Sequence, residues 1–406
     1  MSNRQRTWAL ALLFCAAVLN LFDRQIVNIL AQDIKRALTL SDTELGLLTG
    51  TAFGLFYALL GIPLGRLGDR VDRVKLMAAA LALWSGFTAL CGIAGGFLQL
   101  FLSRMGVGVG EAASQPASTA LIADLFPEGQ RTSAMAILLA GAPVGGLLGL
   151  IVGGYVGMAW GWRSAFFVAA IPGLILSPIL LVTVRDPRSQ SSIVQTHKIS
   201  VQQTIAQLAR NPRFRWLMIG LTCVSFLPYA SGAWLPPFFI RVHRMTTGEL
   251  GEFAGLAVGL GGTVGTVGSG WLCDRLRTRT RNVELKVLAT ALSLGCLCLS
   301  LTLFSPQRSI ALLSMFAFDI CAYAFLGPIV TLIQGEADVH SRALAIALCV
   351  SVSNIINLCL ALPLVGFISD VLNARQGVRA IADALEIGAI VTGALGLLAF
   401  WKARKA

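Results

Sequence analysis

The sequence predicts an all-α membrane protein in which twelve transmembrane helices form two six-helix halves that repeat in parallel. Three observations carry that class. First, 56% of the 406 residues are hydrophobic and only 13% are charged, with a mean hydropathy of +0.75, a composition that fits a bilayer rather than water. Second, the chain divides into apolar segments of roughly 20 residues, the length that crosses a hydrocarbon core about 30 Å thick at about 1.5 Å per residue. Third, Gly65-Arg66-Leu67-Gly68-Asp69-Arg70 returns 205 residues later as Gly270-Trp271-Leu272-Cys273-Asp274-Arg275. Each copy closes an apolar segment and opens a basic loop, which places both at one membrane face.

The first half, residues 1–184, holds spans near Trp8–Leu30, Leu45–Leu67, Leu76–Leu98, Phe101–Leu125, Ser133–Met158 and Phe166–Val184. The first of these is too long for a signal peptide, lacks a small-residue cleavage site and runs into Asp23-Arg24, so it stays as a helix. Residues 185–215 form a polar linker. Within it, Val201, Ile205 and Leu208 space as on a weakly amphipathic surface helix, with a plain loop as the alternative. The second half, residues 216–406, holds spans near Trp216–Ile240, Gly251–Leu272, Val283–Phe304, Ile310–Ile333, Ala343–Ile368 and Ile387–Trp401. Arg131 after the fourth span and Arg342 after the tenth each lead into an alanine-rich helix, so the repeat is parallel. Halves of that kind enclose a midplane cavity in transporters.

An even number of spans puts both termini on one side. The loops on that side carry 22 Lys and Arg against 8 on the other, so both termini are expected in the cytoplasm, in a bacterial inner membrane. The net charge of +12 is spread over those short loops without interleaved aromatics, which argues for an anionic leaflet and against nucleic acid. Nine cysteines lie almost wholly in apolar segments, and the three histidines are scattered. Neither a disulfide framework nor a metal site is expected. Gly106-x-Gly108-x-Gly110 lies inside an apolar helix and follows no strand, and there is no Gly-x-x-x-x-Gly-Lys phosphate loop, so neither an enzyme nor direct ATP hydrolysis is indicated and no cofactor is expected.

Charges inside spans are the chemical signal. In the first span, Asn20, Arg24, Val27 and Asn28 follow helical spacing as one stripe, with Asp23 beside it. In the fourth, Arg104, Glu111 and Ser118 recur every seven residues and so share a face, with Gln115 in the turn between. The tenth adds Asp319, with Tyr323 one turn on. At roughly 2.5–3.5 kcal/mol for each ionised group near a helix centre, Asp23, Arg24, Arg104, Glu111 and Asp319 are costly enough to imply function. Glycines at 106, 108 and 110, and at 141, 145, 146, 149, 153 and 154, permit close helix approach.

Taken together, the Gly65-x-x-x-Asp69-Arg70-x-x-Arg73 string, its copy, and Arg104-x-x-x-Gly108-x-Gly110 resemble the major facilitator superfamily over the whole chain. Asp72 stands where that pattern has a second glycine. Asn20-Leu21-Phe22-Asp23-Arg24, Gly108-Val109-Gly110-Glu111-Ala112, Tyr229 to Pro236 and Pro363 to Asp370 are similar to its spinster-like branch. The resemblance implies the major facilitator fold and an alternating-access, proton-coupled secondary transporter for an amphipathic anionic or zwitterionic lipid, such as a lysophospholipid or sphingoid phosphate. A carrier of small organic anions or sugar phosphates is the alternative, and a non-transporting membrane receptor a more distant one. On this reading Arg24, Asn20, Gln115, Tyr229 and Trp234 contact substrate, and Glu111, with Asp23 second, handles the proton. Arg104 and Asp319 complete a charge network, with Arg104 as a structural partner of Glu111. Gly65, Asp69, Arg70, Arg73 and Arg131, with Gly270, Asp274, Arg275 and Arg342, form a cytoplasmic gate. The expected partners are the substrate, protons and membrane lipids, and the chain is expected to act as a monomer.

Overall fold

The computed structural model describes residues 3–187, 201–277, 282–338 and 341–405. Among them every regular element is a helix. In chain order these are α1 (Asn3–Ile29), α2 (Ala31–Ala37), α3 (Asp42–Gly46), α4 (Ala52–Arg70), α5 (Arg73–Gly92), α6 (Phe97–Glu111), α7 (Ser114–Leu125), α8 (Glu128–Trp160) and α9 (Trp162–Thr183). There follow α10 (Val201–Arg210), α11 (Pro212–Val242), α12 (Thr247–Leu256), α13 (Gly262–Leu276), α14 (Val283–Phe304), α15 (Arg308–Tyr323), α16 (Leu326–Gly335), α17 (Arg342–Asn354), α18 (Leu362–Gln376) and α19 (Ala380–Lys405).

Ten runs of helix among the described residues are long and apolar enough to cross a bilayer. The expected fourth span is absent from that set because it is two helices, α6 and α7, separated at Ala112–Ala113. The eleventh and twelfth share one run, Leu344–Lys405, folded at a 3₁₀ turn over Gly377–Arg379. The twelve predicted spans are therefore all present. Irregularities repeat as well as motifs do. The tenth span breaks between α15 and α16 as the fourth breaks between α6 and α7, and π-helical turns at Leu47–Thr51 and Ala257–Gly261 interrupt the second and eighth spans. A third π turn covers Ile355–Ala361. Such turns insert a residue into the ladder and often mark functional positions.

The chain forms two compact units, one comprising Met1–Gln195 with Met245–Gly255, the other Thr196–Arg244 with Leu256–Ala406. In the first, α1 lies on α8 by virtue of small residues. A β-carbon at Gly145 would stand 2.1 Å from the Val18 carbonyl oxygen, so only glycine permits the approach. This contact uses Val18, Phe22 and Ile26 of α1, leaving Asn20, Asp23 and Arg24 for other neighbours. The start of α12 packs on α8 in the same unit, where the Thr247 hydroxyl donates to the Gly154 carbonyl at 3.2 Å and the Tyr155 hydroxyl to Glu252 at 3.0 Å.

Asp72, the departure from the superfamily pattern, has a local job. Its carboxylate caps α5 by accepting the Lys75 amide at 2.9 Å, satisfying one of the unpaired donors of a helix start. In the second unit, Asn211 caps α11 in front of Pro212 at its first turn. The linker segment expected to be either a surface helix or a loop is the helix α10. Leu208 is buried while Ile205 stays exposed, and the Gln207 amide donates to Asp338 at 3.3 Å.

Candidate functional site

The site assembles where α1, α4, α6, α7 and α8 of the first unit meet. Gly108 lets α6 press on α4: a β-carbon there would lie 2.5 Å from the Phe53 carbonyl oxygen. That approach brings Glu111, at the last turn of α6, against α1. Its Oε2 accepts from Arg24 Nε at 2.8 Å and from Asn20 Nδ2 at 2.9 Å, and Arg24 Nη2 donates to Asn20 Oδ1 at 3.0 Å. Three side chains thus close a ring of charge-assisted bonds, the strong kind in a low-dielectric interior. The Arg24 guanidinium also sits 4.4 Å from the ring centroids of both Phe53 and Tyr57, where the aromatic faces favour a cation.

Glu111 is fully buried and its other oxygen, Oε1, has no hydrogen-bond partner. Asp23 is 2% exposed and turns the other way, accepting from the Thr88 hydroxyl at 3.2 Å, with its Oδ1 unbonded. Arg104 lies 5.3 Å from the Phe53 ring centroid, its Nε is unbonded, and its charge acts on both carboxylates. Glu111 forms its ion pair with Arg24, while Arg104, expected as its structural partner, acts on it through charge without a direct bond. Spacing along one helix put Arg104 and Glu111 on a common face, but helix contact decided which arginine reaches the carboxylate.

The shared face of Arg104, Glu111 and Ser118 also stops short. The break at Ala112–Ala113 turns the chain between Glu111 and Ser118, and Ser118 faces a cavity instead. That cavity, about 170 Å³ in volume, is lined by the polar side chains of Asn20, Arg24, Tyr57, Ser114, Gln115 and Ser118 and by the apolar ones of Ala17, Leu21, Leu138, Leu139 and Ala142. The Tyr57 hydroxyl leans toward Gln115 Oε1 at 3.5 Å. Arg24, Asn20 and Gln115 are therefore gathered around one space. Asn28 is not with them; it donates to Gln25. Phe53 and Tyr57 escaped the sequence reading, although an aromatic pair four residues apart in the second span was the available signal.

Tyr229, Trp234 and Asp319 belong to the second unit. The Tyr229 hydroxyl donates to Asn354 Oδ1 at 2.7 Å, at the start of the third π turn. Trp234 is 1% exposed with its indole nitrogen unbonded, a core side chain that lines no described cavity. Asp319 is 2% exposed on α15.

Of the expected gate, the first copy is the more elaborate. Arg73 pairs with Asp124, donates from Nε to the Gly68 carbonyl at 3.3 Å, and offers its amide to Asp186 at 2.8 Å. Arg131 Nε donates to the Phe126 carbonyl at 2.9 Å. Gly65 faces Pro116 of α7, Arg70 is exposed, and the Asp69 side chain lies outside the described ones. In the second copy Gly270 has open space before it, Asp274 and Arg342 are exposed, and Arg275 covers the Trp271 ring at 5.2 Å. Asp124 and Asp186, which tie the first copy together, lie 51 and 113 residues from Arg73 and could not be paired with it from spacing.

The family profile described as "Major Facilitator Superfamily" matches residues 13–359. The chain belongs to that superfamily. As a major facilitator protein it is an integral membrane transporter and not an enzyme, and within the superfamily it is spinster-like. It is 30% identical to an MFS-type efflux pump of Mycolicibacterium smegmatis over 98% of this chain and 93% of that protein. It is 35% identical to human protein spinster homolog 1 over 57% of this chain, a match that takes in 45% of the human protein. The crystal structure of a bacterial homolog to the human lysosomal transporter Spinster, in an inward-facing and unoccupied conformation, superposes with a TM-score of 0.86 at 25% identity, covering 100% of this chain and 98% of that one.

Proposed function

We propose that this major facilitator protein is a proton-coupled transporter of an amphipathic anion, a lysophospholipid or sphingoid phosphate, that works by alternating access. The observation that carries the reading is Arg24, ion-paired with Glu111 and lining a cavity of mixed polar and aliphatic side chains. Guanidinium presents paired donors to a phosphate or carboxylate, and here it shares its cavity with Leu21, Leu138 and Leu139. A polar head and an apolar tail would each find a surface. When a substrate anion takes Arg24, Glu111 loses its counter-ion while staying buried, and a buried carboxylate without a counter-ion is stabilised by taking a proton. Substrate exchange and proton exchange are then one event at two oxygens. The protein is read as a monomer in a bacterial inner membrane with both termini cytoplasmic, the gate strings lying on that face.

The test uses full-length protein in liposomes with radiolabelled lysophosphatidylethanolamine and, in parallel, glycerol 3-phosphate as the tail-less small anion. Glu111→Gln keeps the shape and hydrogen bonding of the site but cannot release a proton. It is expected to abolish accumulation driven by a pH gradient while lysolipid still exchanges between the two sides. Wild-type accumulation in Glu111→Gln would remove the coupling role. Accumulation of glycerol 3-phosphate but not of lysolipid would favour the small-anion carrier.

A further inference from the structure

Charge does not balance in the same way in the two units. In the first, the charges of two arginines, Arg24 and Arg104, act on two carboxylates, Asp23 and Glu111, so each carboxylate has a counter-ion within its unit. In the second, Asp319 stands alone. It sits near the middle of the tenth span, Arg308–Gly335, 2% exposed, with Oδ2 buried and unbonded and no hydrogen bond or ion pair among the described residues. Its Cβ lies over the second π turn, where a β-carbon on Gly261 would come within 3.3 Å of it; Gly262 meets the Tyr323 ring in the same way. The elements packed against α15 are α11, α13, α14 and the Ala257–Gly261 turn. Among the described residues none of them directs a charge at Asp319. The titratable group beside it is Tyr323 one turn on, which itself neighbours Tyr229 of α11.

We infer that Asp319 is a second proton-binding site, built into the second unit and separate from the Arg24–Glu111 pair. An isolated ionised carboxylate at this depth would carry the full penalty of desolvation with nothing to offset it. A mobile cation removes that penalty, and the surroundings select which one. Sodium or a divalent ion needs several oxygen ligands, whereas the groups that meet this side chain are the Gly261 backbone and Tyr323. A proton needs only one oxygen. The repeat gives the site a place in the mechanism: Glu111 adjoins the break between α6 and α7, and Asp319 lies over the Ala257–Gly261 π turn, so both protonatable positions border irregular turns. Each unit would thus bring its own proton, one exchangeable against substrate at Arg24, the other resident until α13 and α15 move apart.

The experiment is infrared difference spectroscopy of the full-length protein in sodium-free vesicles of phosphatidylethanolamine and phosphatidylglycerol, cycled between acid and alkaline buffer without substrate. Wild type is expected to show a carboxylic-acid carbonyl band lost at alkaline pH. Asp319→Asn should delete that band and lower the proton uptake by about one per protein. Asp319→Glu should move its frequency, and Glu111→Gln should leave it in place. A carbonyl region in Asp319→Asn that matches wild type overturns the inference, as does a band that responds to added sodium at constant pH. Should Asp319→Asn fail to insert, the band shift in Asp319→Glu decides, and an unshifted band there also overturns it. Because the readout needs neither substrate nor Glu111, its failure leaves the Arg24–Glu111 reading intact, and the reverse holds too.

Discussion

Replacing Arg24 by lysine keeps the charge and removes the geometry, so it isolates what the guanidinium contributes. Arg24 donates at once to Glu111 (2.8 Å) and Asn20 (3.0 Å) while lying 4.4 Å from the centroids of two mutually stacked rings, Phe53 and Tyr57. A lysine ammonium in the same place can pair with Glu111 or with an incoming anion, but as a compact point charge it cannot hold Asn20 and present a second donor to the anion together. One hydrogen bond to a charged group is worth about 1.5–3 kcal/mol, and the contact of the guanidinium with the two rings adds on the order of 0.5–1 kcal/mol. The expected loss in anion affinity is about 2–4 kcal/mol, roughly 30- to 700-fold. Binding of radiolabelled lysophosphatidylethanolamine to the purified protein by scintillation proximity measures it directly. An affinity within about threefold of wild type, in a variant that melts normally, would refute the assignment of Arg24 as the head-group anchor, since a loss near 0.7 kcal/mol is below the value of even one charged hydrogen bond.

Two further outcomes follow from packing and burial. Gly251→Leu should lower the thermal stability of the detergent-solubilised protein by several degrees, because a β-carbon at Gly251 would stand 2.2 Å from the Leu150 carbonyl oxygen and overpacking of this kind costs about 1–3 kcal/mol; an unchanged melting temperature would mean that α12 does not rest on α8 in solution. His243, just beyond α11, meets Phe238 edge to face and Phe239 at a tilt, and burial together with the nearby Arg308 lowers its pKa. Its neutral form is favoured in the folded state, so its contribution is present above the unfolded value of about 6.5 and is lost as pH falls below it. Between pH 8 and pH 5.5 wild type should therefore lose more stability than His243→Asn, and equal losses in the two proteins would remove the effect.

The sequence by itself determined the class, the number of spans and the presence of costly charges within them, because a bilayer admits few architectures and each leaves a period that can be read. The duplicated string fixed the parallel repeat for the same reason: a copied unit copies its punctuation. Tertiary structure decided the partners. Arg104 and Glu111 share a helix face, yet Glu111 pairs with Arg24, 87 residues away, because Gly108 draws α6 onto α4 and Gly145 draws α1 onto α8. Glycine signals that helices come close without saying which helix, and no spacing rule reaches across such contacts. The break at Ala112–Ala113 was equally illegible, since neither alanine is a helix breaker, and beyond it Gln115 and Ser118 line the cavity that Arg24 and Asn20 also line. The charge imbalance was countable from composition as two arginines against three carboxylates. Only the division of those charges between units put the excess on Asp319, because electrostatic neutrality in a low dielectric is settled locally, by whichever groups the packing brings within a few ångströms of one another.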